Sequence, residues 1–377
     1  MEHPVFILVE NGDVYAPESL GKQTVLVVGD KIARIGEVDA GAVSATGLDC
    51  TAVDATGCLV VPGFIDPHQH ISGAGGEEGF SSRTPEVQIS EIAGAGITTV
   101  VGILGTDATT RNLQSLLAKA RQLEQEGLTT YVYTGSFQVP VRTLTGSVTD
   151  DLVLIDKVLG VGELALSDFR SPEPSLHELA RVVSEAITGG LVGGKAGVTH
   201  FHTGPGKGRL GLLHRLLDEY EVPPRYLYPT HIERSEGLMD DAIALAKRGA
   251  FVDIDVVEPG LGKWLQYYRD NGGPLSQLTV SSDAHASTSA NRLHDDFASC
   301  IQAHKLPIEE VLPHFTANTA TALALHDKGR IREGMDADIL VLKKRSLEVV
   351  HLIANGKLLV KNGKVLARSQ YEGLAQG

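Results

Sequence analysis

"VPGFIDPHQHISGAGGEEG", Val61 to Gly79, sets an apolar run against an aspartate and two histidines one residue apart. Side chains at i and i+2 of an extended chain point to one face, so His68 and His70 can converge on a single object. Two such histidines in isolation read as solvated loop residues. The rest of the chain shifts that reading, because this run opens a series of strand-like segments whose ends collect polar groups.

The series continues through "CLVVPGFID", "ITTVVGIL", "TTYVYTGSF", "GELALSD", "GVTHFHTG", "RYLYPTH", "AFVDIDV" and "LTVSSDAH". Amphipathic stretches such as "TTRNLQSLLAKARQLEQEG", "SLHELARVVSEAITG" and "EGLMDDAIALAKRG" lie between them at helical period. Eight strands, most followed by a helix, are what a (β/α)8 TIM-like barrel requires, here over residues 61–329. An open doubly wound sheet would carry a Gly-rich phosphate turn after its first strand, and "GGE" does not fit that spacing. Residues 1–60 and 330–377 instead alternate like short strands, with Asn-Gly or Gly-Asp turn signals in "VFILVENGDVYA", "TVLVVGDKIARIGEV" and "VVHLIANGKLLVKNGKVL". They predict a small β-sandwich domain built from both termini.

Bulk properties narrow the class of protein. The 42 glycines among persistent apolar segments indicate many tight turns rather than disorder. A net charge of −14 disfavours a nucleic-acid partner and leaves no polybasic patch for a membrane surface. Cys50, Cys58 and Cys300 lack C-x-x-C spacing and read as free thiols of a reducing compartment. The N-terminal run lacks a basic region and is broken by Glu10 and Asn11, which does not suit a signal peptide. A cytoplasmic enzyme of small molecules is the expectation.

Catalytic groups of a parallel barrel sit at the carboxyl ends of its strands. His68 and His70 follow the first strand, Glu163 sits in the fourth, His200 and His202 end the fifth, His231 ends the sixth and Asp283 ends the eighth. Buried ionisable groups cost several kcal/mol unless paired or metal-bound, so converging breaks of this kind are hard to explain by packing. Imidazole and carboxylate donors without cysteine suit zinc or another divalent ion in a catalytic site. Histidines on both sides of a bridging carboxylate would hold a pair of ions, which make hydroxide available near neutral pH.

With these residues assembled, the chain resembles the amidohydrolase superfamily through "PGFIDPHQH" and "GMDADILVL", and within it the isoaspartyl (β-aspartyl) dipeptidases. The second resemblance rests on "GGEEGFSSRTPE", "GITTVVGILGTD", "TYVYTGSFQVPVRTLTGSV", "ALSDFRS", "GGKAGVTHFHTG", "YPTHIERS" and "SSDAHAS", an ordered set over nearly the whole chain. It implies two Zn2+ ions per subunit held by His68, His70, His202, His231 and Asp283, with Asp283 also the catalytic acid/base. It implies that Gly75, Gly76 and Glu77 meet the substrate's α-amino end and that Thr106 and Ser287 hydrogen-bond substrate. Arg170 and Arg234 would clamp the two free carboxylates. The implied reaction is attack of a metal-bridging hydroxide on the side-chain amide of a β-aspartyl dipeptide, in a homo-oligomer. Independently of the resemblance, one Glu and two Arg match the one ammonium and two carboxylates of such a substrate.

Two positions depart from the family pattern. Glu163 stands where the family carries a carboxylated lysine, and the chain is one residue longer just before it. A distorted strand near Gly162 would bring the shorter side chain within reach. Phe137 stands where the family has a carbonyl-polarising tyrosine, with Tyr131 and Tyr133 as candidate replacements. Competing expectations are a dihydroorotase-like or N-acyl-amino-acid hydrolase and a barrel without catalysis. Surface positions are expected for His314 and His351, and either a loop position or contact with Asp283 for His285.

Overall fold

The computed structural model describes residues 5–257 and 259–372, so the outermost residues of the expected sheet domain, 1–4 and 373–377, lie outside the described residues. Five strands come first: β1 (Phe6–Tyr15), β2 (Ser19–Val28), β3 (Lys31–Gly36), β4 (Cys50–Asp54) and β5 (Cys58–Pro62). Eight follow in alternation with helices: β6 (Phe64–Gln69), β7 (Ile97–Gly102), β8 (Thr129–Thr134), β9 (Val158–Leu166), β10 (Val198–Thr203), β11 (Leu227–Thr230), β12 (Val252–Asp255) and β13 (Leu278–Ser281). Four close the chain: β14 (Ile339–Lys343), β15 (Val349–Ala354), β16 (Lys357–Lys361) and β17 (Lys364–Val365).

Both ends of the chain enter one nine-stranded sheet, ordered β17-β16-β15-β14-β5-β1-β2-β3 with β4 beside β1. The join is the antiparallel pairing of β14 with β5. The sequence "CLVVPGFID" therefore divides at Gly63, its first half pairing in this sheet and its second half opening the parallel one. Asn11-Gly12 was expected to close a hairpin, and it does not. β1 runs straight through with a register shift there, and a Cβ at Gly12 would fall 2.3 Å from Val60 Cγ2. Close packing against β5 overrides the local turn signal.

Strands β6 to β11 form a six-stranded sheet in chain order, every pair parallel, and β12 pairs in parallel with β13. All are buried along their length except at half-buried Tyr131 of β8, as strands covered on both faces must be. Capping boxes start two of the covering helices, Asn112 with Ser115 before Leu113–Glu126 and Ser175 with Glu178 before Leu176–Gly193.

Two buried aspartates span the places where the ladders part. Asp66 of β6 accepts from the backbone nitrogen of Ser282 (3.1 Å) and from its hydroxyl (2.5 Å). Asp253 of β12 accepts from Thr230 of β11 (2.8 Å) and from Thr279 and Ser281 of β13 (2.5 Å each). At the opposite end of these strands, Ala320, Ala322 and Leu323 pack among Ile65, Leu159 and Val198 and fill the base. Among the described residues no helix is long and apolar enough to cross a membrane.

Lys328 fastens the chain between the two sheets. Its buried ammonium meets Asp338 at 2.6 Å and Asp336 at 2.8 Å. Removing one partner of a buried ion pair strands the other charges. Lys328→Ala is expected to cost about 3–5 kcal/mol in urea unfolding, and a loss under 1 kcal/mol would contradict that placement.

Candidate metal centre

The carboxyl ends of β6, β9, β10, β11 and β13 bring six side chains to one point: His68, His70, Glu163, His202, His231 and Asp283, each at most 7% exposed. Glu163 is central. Its Oε2 stands 3.3 Å from His202 Nδ1, 3.6 Å from His68 Nε2 and 3.7 Å from His231 Nε2, and its Oε1 stands 3.7 Å from His70 Nε2. Asp283 Oδ1 lies 3.2 Å from His68 Nε2 and 3.1 Å from His70 Nε2.

The strand ends explain this convergence. Between matched positions, β9 advances from Val161 to Leu164 while β10 advances only from Thr199 to Phe201. The extra residue in β9 is a bulge, and it falls at Gly162 and Glu163. Gly162 has φ +155°, and a Cβ there would lie 2.7 Å from the His200 carbonyl oxygen. His231 and Asp283 both sit at positive φ (62° and 48°), in the left-handed region, where strand turns into loop. Non-glycine residues cluster in such conformations at functional sites.

The donor set fits divalent cations. Ligand atoms around a tetrahedral ion with bonds of about 2 Å stand roughly 3.3 Å apart, close to the separations found here. His68 Nε2, His202 Nδ1, Glu163 Oε2 and Asp283 Oδ1 are buried without a hydrogen-bond partner. The opposite ring nitrogens are held from behind: His68 Nδ1 by His200 Nε2 (2.9 Å), His231 Nδ1 by Asp255 (2.5 Å) and His202 Nε2 by Asp168 (3.2 Å). Such outer contacts fix the tautomer and orientation of ligating imidazoles.

Electrostatics point the same way. Burial disfavours the charged form of His68, yet Glu163 and Asp283 outweigh it and lift its pKa to about 9. Burial likewise opposes charge on His231, and Asp255 and Glu163 lift it to about 10. Glu163 and Asp283 are held well below the usual carboxylate range, the neighbouring histidines overcoming desolvation. His200 is pushed well down by burial and by His68, so it stays neutral.

A cleft of roughly 630 Å3 opens above the cradle, and Gly75, Gly76, Glu77, Thr106, Arg170, Arg234 and Ser287 all line it. Three of them already meet. Arg170 Nη1 donates to both Glu77 oxygens (2.8 and 2.9 Å), and Thr106 donates to Glu77 Oε1 (2.6 Å). Arg234 Nη1 donates to the Thr203 carbonyl at 2.7 Å. The Phe137 ring packs on His202 at 4.4 Å and under the Arg170 guanidinium at 5.2 Å.

Several side chains sit elsewhere than their spacing suggested. Tyr133 stacks on His200 inside the sheet (5.1 Å) and Tyr131 lies toward the base, so neither lines the cleft. His285 contacts Glu91 at 2.8 Å and the Pro85 carbonyl at 3.1 Å, not Asp283. His314 and His351 are buried, His314 against the Leu278 carbonyl (3.0 Å). Asp168, Glu233 and Asp255 were missed. Asp255 had a signal, since it breaks an apolar strand as the histidines do, and buried Glu233 lines the cleft with an unpartnered Oε2.

A family model described as the amidohydrolase family matches residues 271–367. The crystal structure of a β-aspartyl dipeptidase from Fervidobacterium islandicum AW-1 superposes with a TM-score of 0.92 at 40% identity, covering 97% of this chain and 100% of that chain. The β-aspartyl dipeptidase of that organism in complex with β-Asp-Leu gives 0.91 at 39% identity over the same shares. A dihydroorotase from Streptococcus thermophilus is 35% identical over 115 residues, 29% of this chain, and the match spans 24% of that protein's length.

In the metal-free protein His68 and His231 bind protons more tightly when folded than when unfolded. Their contribution to stability is complete below pH 6.5 and is lost as pH rises through about 9 and about 10. Melting temperatures of the chelator-treated protein are expected to fall across that window. A flat profile would contradict the electrostatics of the cradle.

Proposed function

The chain belongs to the β-aspartyl dipeptidase family of amidohydrolases, and on that footing we propose that it hydrolyses the side-chain amide bond of isoaspartyl dipeptides with two zinc ions. The observation that carries the reading is the placement of Glu77, Arg170 and Arg234 around the mouth of a six-donor cradle. That ring of charge matches a substrate with one ammonium and two carboxylates. The six-stranded and two-stranded parallel ladders, stitched by Asp66 and Asp253, are read as one (β/α)8 barrel over residues 61–329. Residues 1–60 and 330–377 are read as the small β-sandwich domain, and the protein as a cytoplasmic homo-oligomer.

His68, His70 and Asp283 would hold one ion, His202 and His231 the other, with Glu163 shared between them. Bound there, the pair supplies an acidified water and a polarised amide carbonyl. The chain's own residues do the rest. Glu77 takes the α-ammonium of the isoaspartate, and in doing so exchanges Arg170 for the ligand. Arg170 and Arg234 then grip the two carboxylates and fix the scissile amide over the cradle. Asp283, an ionised carboxylate beside His68 and His70, accepts the proton of the attacking water and delivers it to the departing amine nitrogen. Phe137 cannot donate a hydrogen bond, so the carbonyl oxygen receives none from that side.

A panel of β-Asp-Leu, dihydroorotate and N-acyl amino acids tests the substrate. Release of aspartate and leucine is expected, and turnover of only the other two groups would overturn the reading. Because Glu163 already carries its carboxylate, reconstitution with zinc should reach two ions per chain without bicarbonate. Metal uptake that depends on added CO2 would remove Glu163 from its shared position. Phe137→Tyr restores a donor and should raise kcat on β-Asp-Leu by up to about a hundred-fold.

A further inference from the structure

Asp168 is buried at 3% exposure and touches both halves of the site. Its Oδ1 accepts from Arg170 Nε and from the Arg170 backbone nitrogen, each at 2.9 Å. Its Oδ2 accepts from Arg170 Nη2 at 2.8 Å and faces His202 Nε2 at 3.2 Å. The other nitrogen of that ring, Nδ1, is the one turned toward Glu163. Arg170 Nη2 and Arg234 Nη1 also stand 3.1 and 3.3 Å from His202 Nε2, and Asp168 is the acceptor beside it, so that with Nδ1 committed to the cradle a proton on Nε2 is directed at Asp168.

We propose that Asp168 is a positioning residue that joins the metal cradle to the substrate clamp, fixing the His202 ring and the Arg170 guanidinium with one carboxylate. The division of labour on Arg170 supports this. Asp168 takes the inner edge, Nε and Nη2, and leaves Nη1 to face the cleft, where it now meets Glu77. Phe137 and Phe169 flank the guanidinium at 5.2 and 5.5 Å, so its plane is set as well as its edge.

The backbone carrying Asp168 is itself held against the strand that carries His202. Gly204 N donates to the Leu166 carbonyl (2.9 Å) and Gly206 N to the Ser167 carbonyl (2.7 Å). A Cβ at Gly204 or Gly206 would fall 2.4 or 2.3 Å from the Ser167 oxygen. This approach is open only to glycine. It keeps the turn after β9 at a fixed distance from the end of β10, so that a single carboxylate can reach both partners.

The inference rests on the function proposed above for its substrate arm, while its metal arm stands alone. Zinc affinity of the full chain is measured by chelator competition, alongside KM and kcat on β-Asp-Leu. Asp168→Asn keeps the size but places an amide against the donors of Arg170 or His202. It is expected to lose about 10–100-fold in zinc affinity and to raise KM. Arg170→Gln should raise KM with zinc affinity within about twofold of the parent, the split that a general loss of structure would not produce. Zinc affinity unchanged in Asp168→Asn, or lost equally in Arg170→Gln, overturns the proposal. If Asp168→Asn folds poorly, Asp168→Glu carries the test: zinc binding recovered supports the carboxylate's role, and zinc binding lost in a folded Asp168→Glu overturns it. Parent protein that leaves β-Asp-Leu intact defeats the proposed function, and the zinc titration then decides the role of Asp168 by itself.

Discussion

A short carboxylate that must reach imidazoles from three other strand ends governs this structure. Glu163 has only two methylenes with which to place its oxygens between His68, His70, His202 and His231. The backbone therefore comes to the site: β9 carries one residue more than β10 at this point, and the bulge lifts Glu163 toward the mouth. Only glycine fits before it, since any side chain at Gly162 would strike the His200 carbonyl. A bulge is a local kink that redirects a side chain, and here it supplies reach that the side chain lacks.

Much of the cradle was legible because its residues violate the pattern around them. An apolar strand that ends in His, Glu or Asp has no packing reason to do so, and the alternation of parallel strands with helices says which ends lie together. The same test, applied to "AFVDIDV", would have found Asp255 behind His231. Asp168 was hidden by its neighbour, because Arg170 two residues later drew the functional reading. The pairing of Arg170 with Glu77 joins loops ninety-three positions apart and leaves no trace in local sequence. Tyr133 shows the reverse error. Its spacing from Phe137 suggested a common face, but residues beyond the strand end no longer follow its alternation.

Local turn chemistry set the connection at two Asn-Gly pairs and not at a third. The Asn355-Gly356 and Asn362-Gly363 pairs lie between β15, β16 and β17 as their signals indicate, whereas Asn11-Gly12 lies inside β1. Val60 presses on Gly12 from β5, and a closed hairpin there would give up the pairing of β1 with β2 on both sides of the bulge. Inside the parallel sheets, buried polar groups lie above the apolar base. Asp66 and Asp253 replace missing ladder bonds with side-chain bonds, and burial, against the lowering effect of the Ser282 hydrogen bonds, raises the Asp66 carboxyl to about 6.

The pairing of β5 with β14 has a consequence for how the molecule comes into being. During synthesis the first five strands emerge long before their partner, which follows almost three hundred residues later. Until then one edge of β5 offers bare amide and carbonyl groups to any passing strand. Translation order thus leaves the nascent chain with an open seam through nearly its whole growth, a window in which chaperone shielding or aggregation would compete.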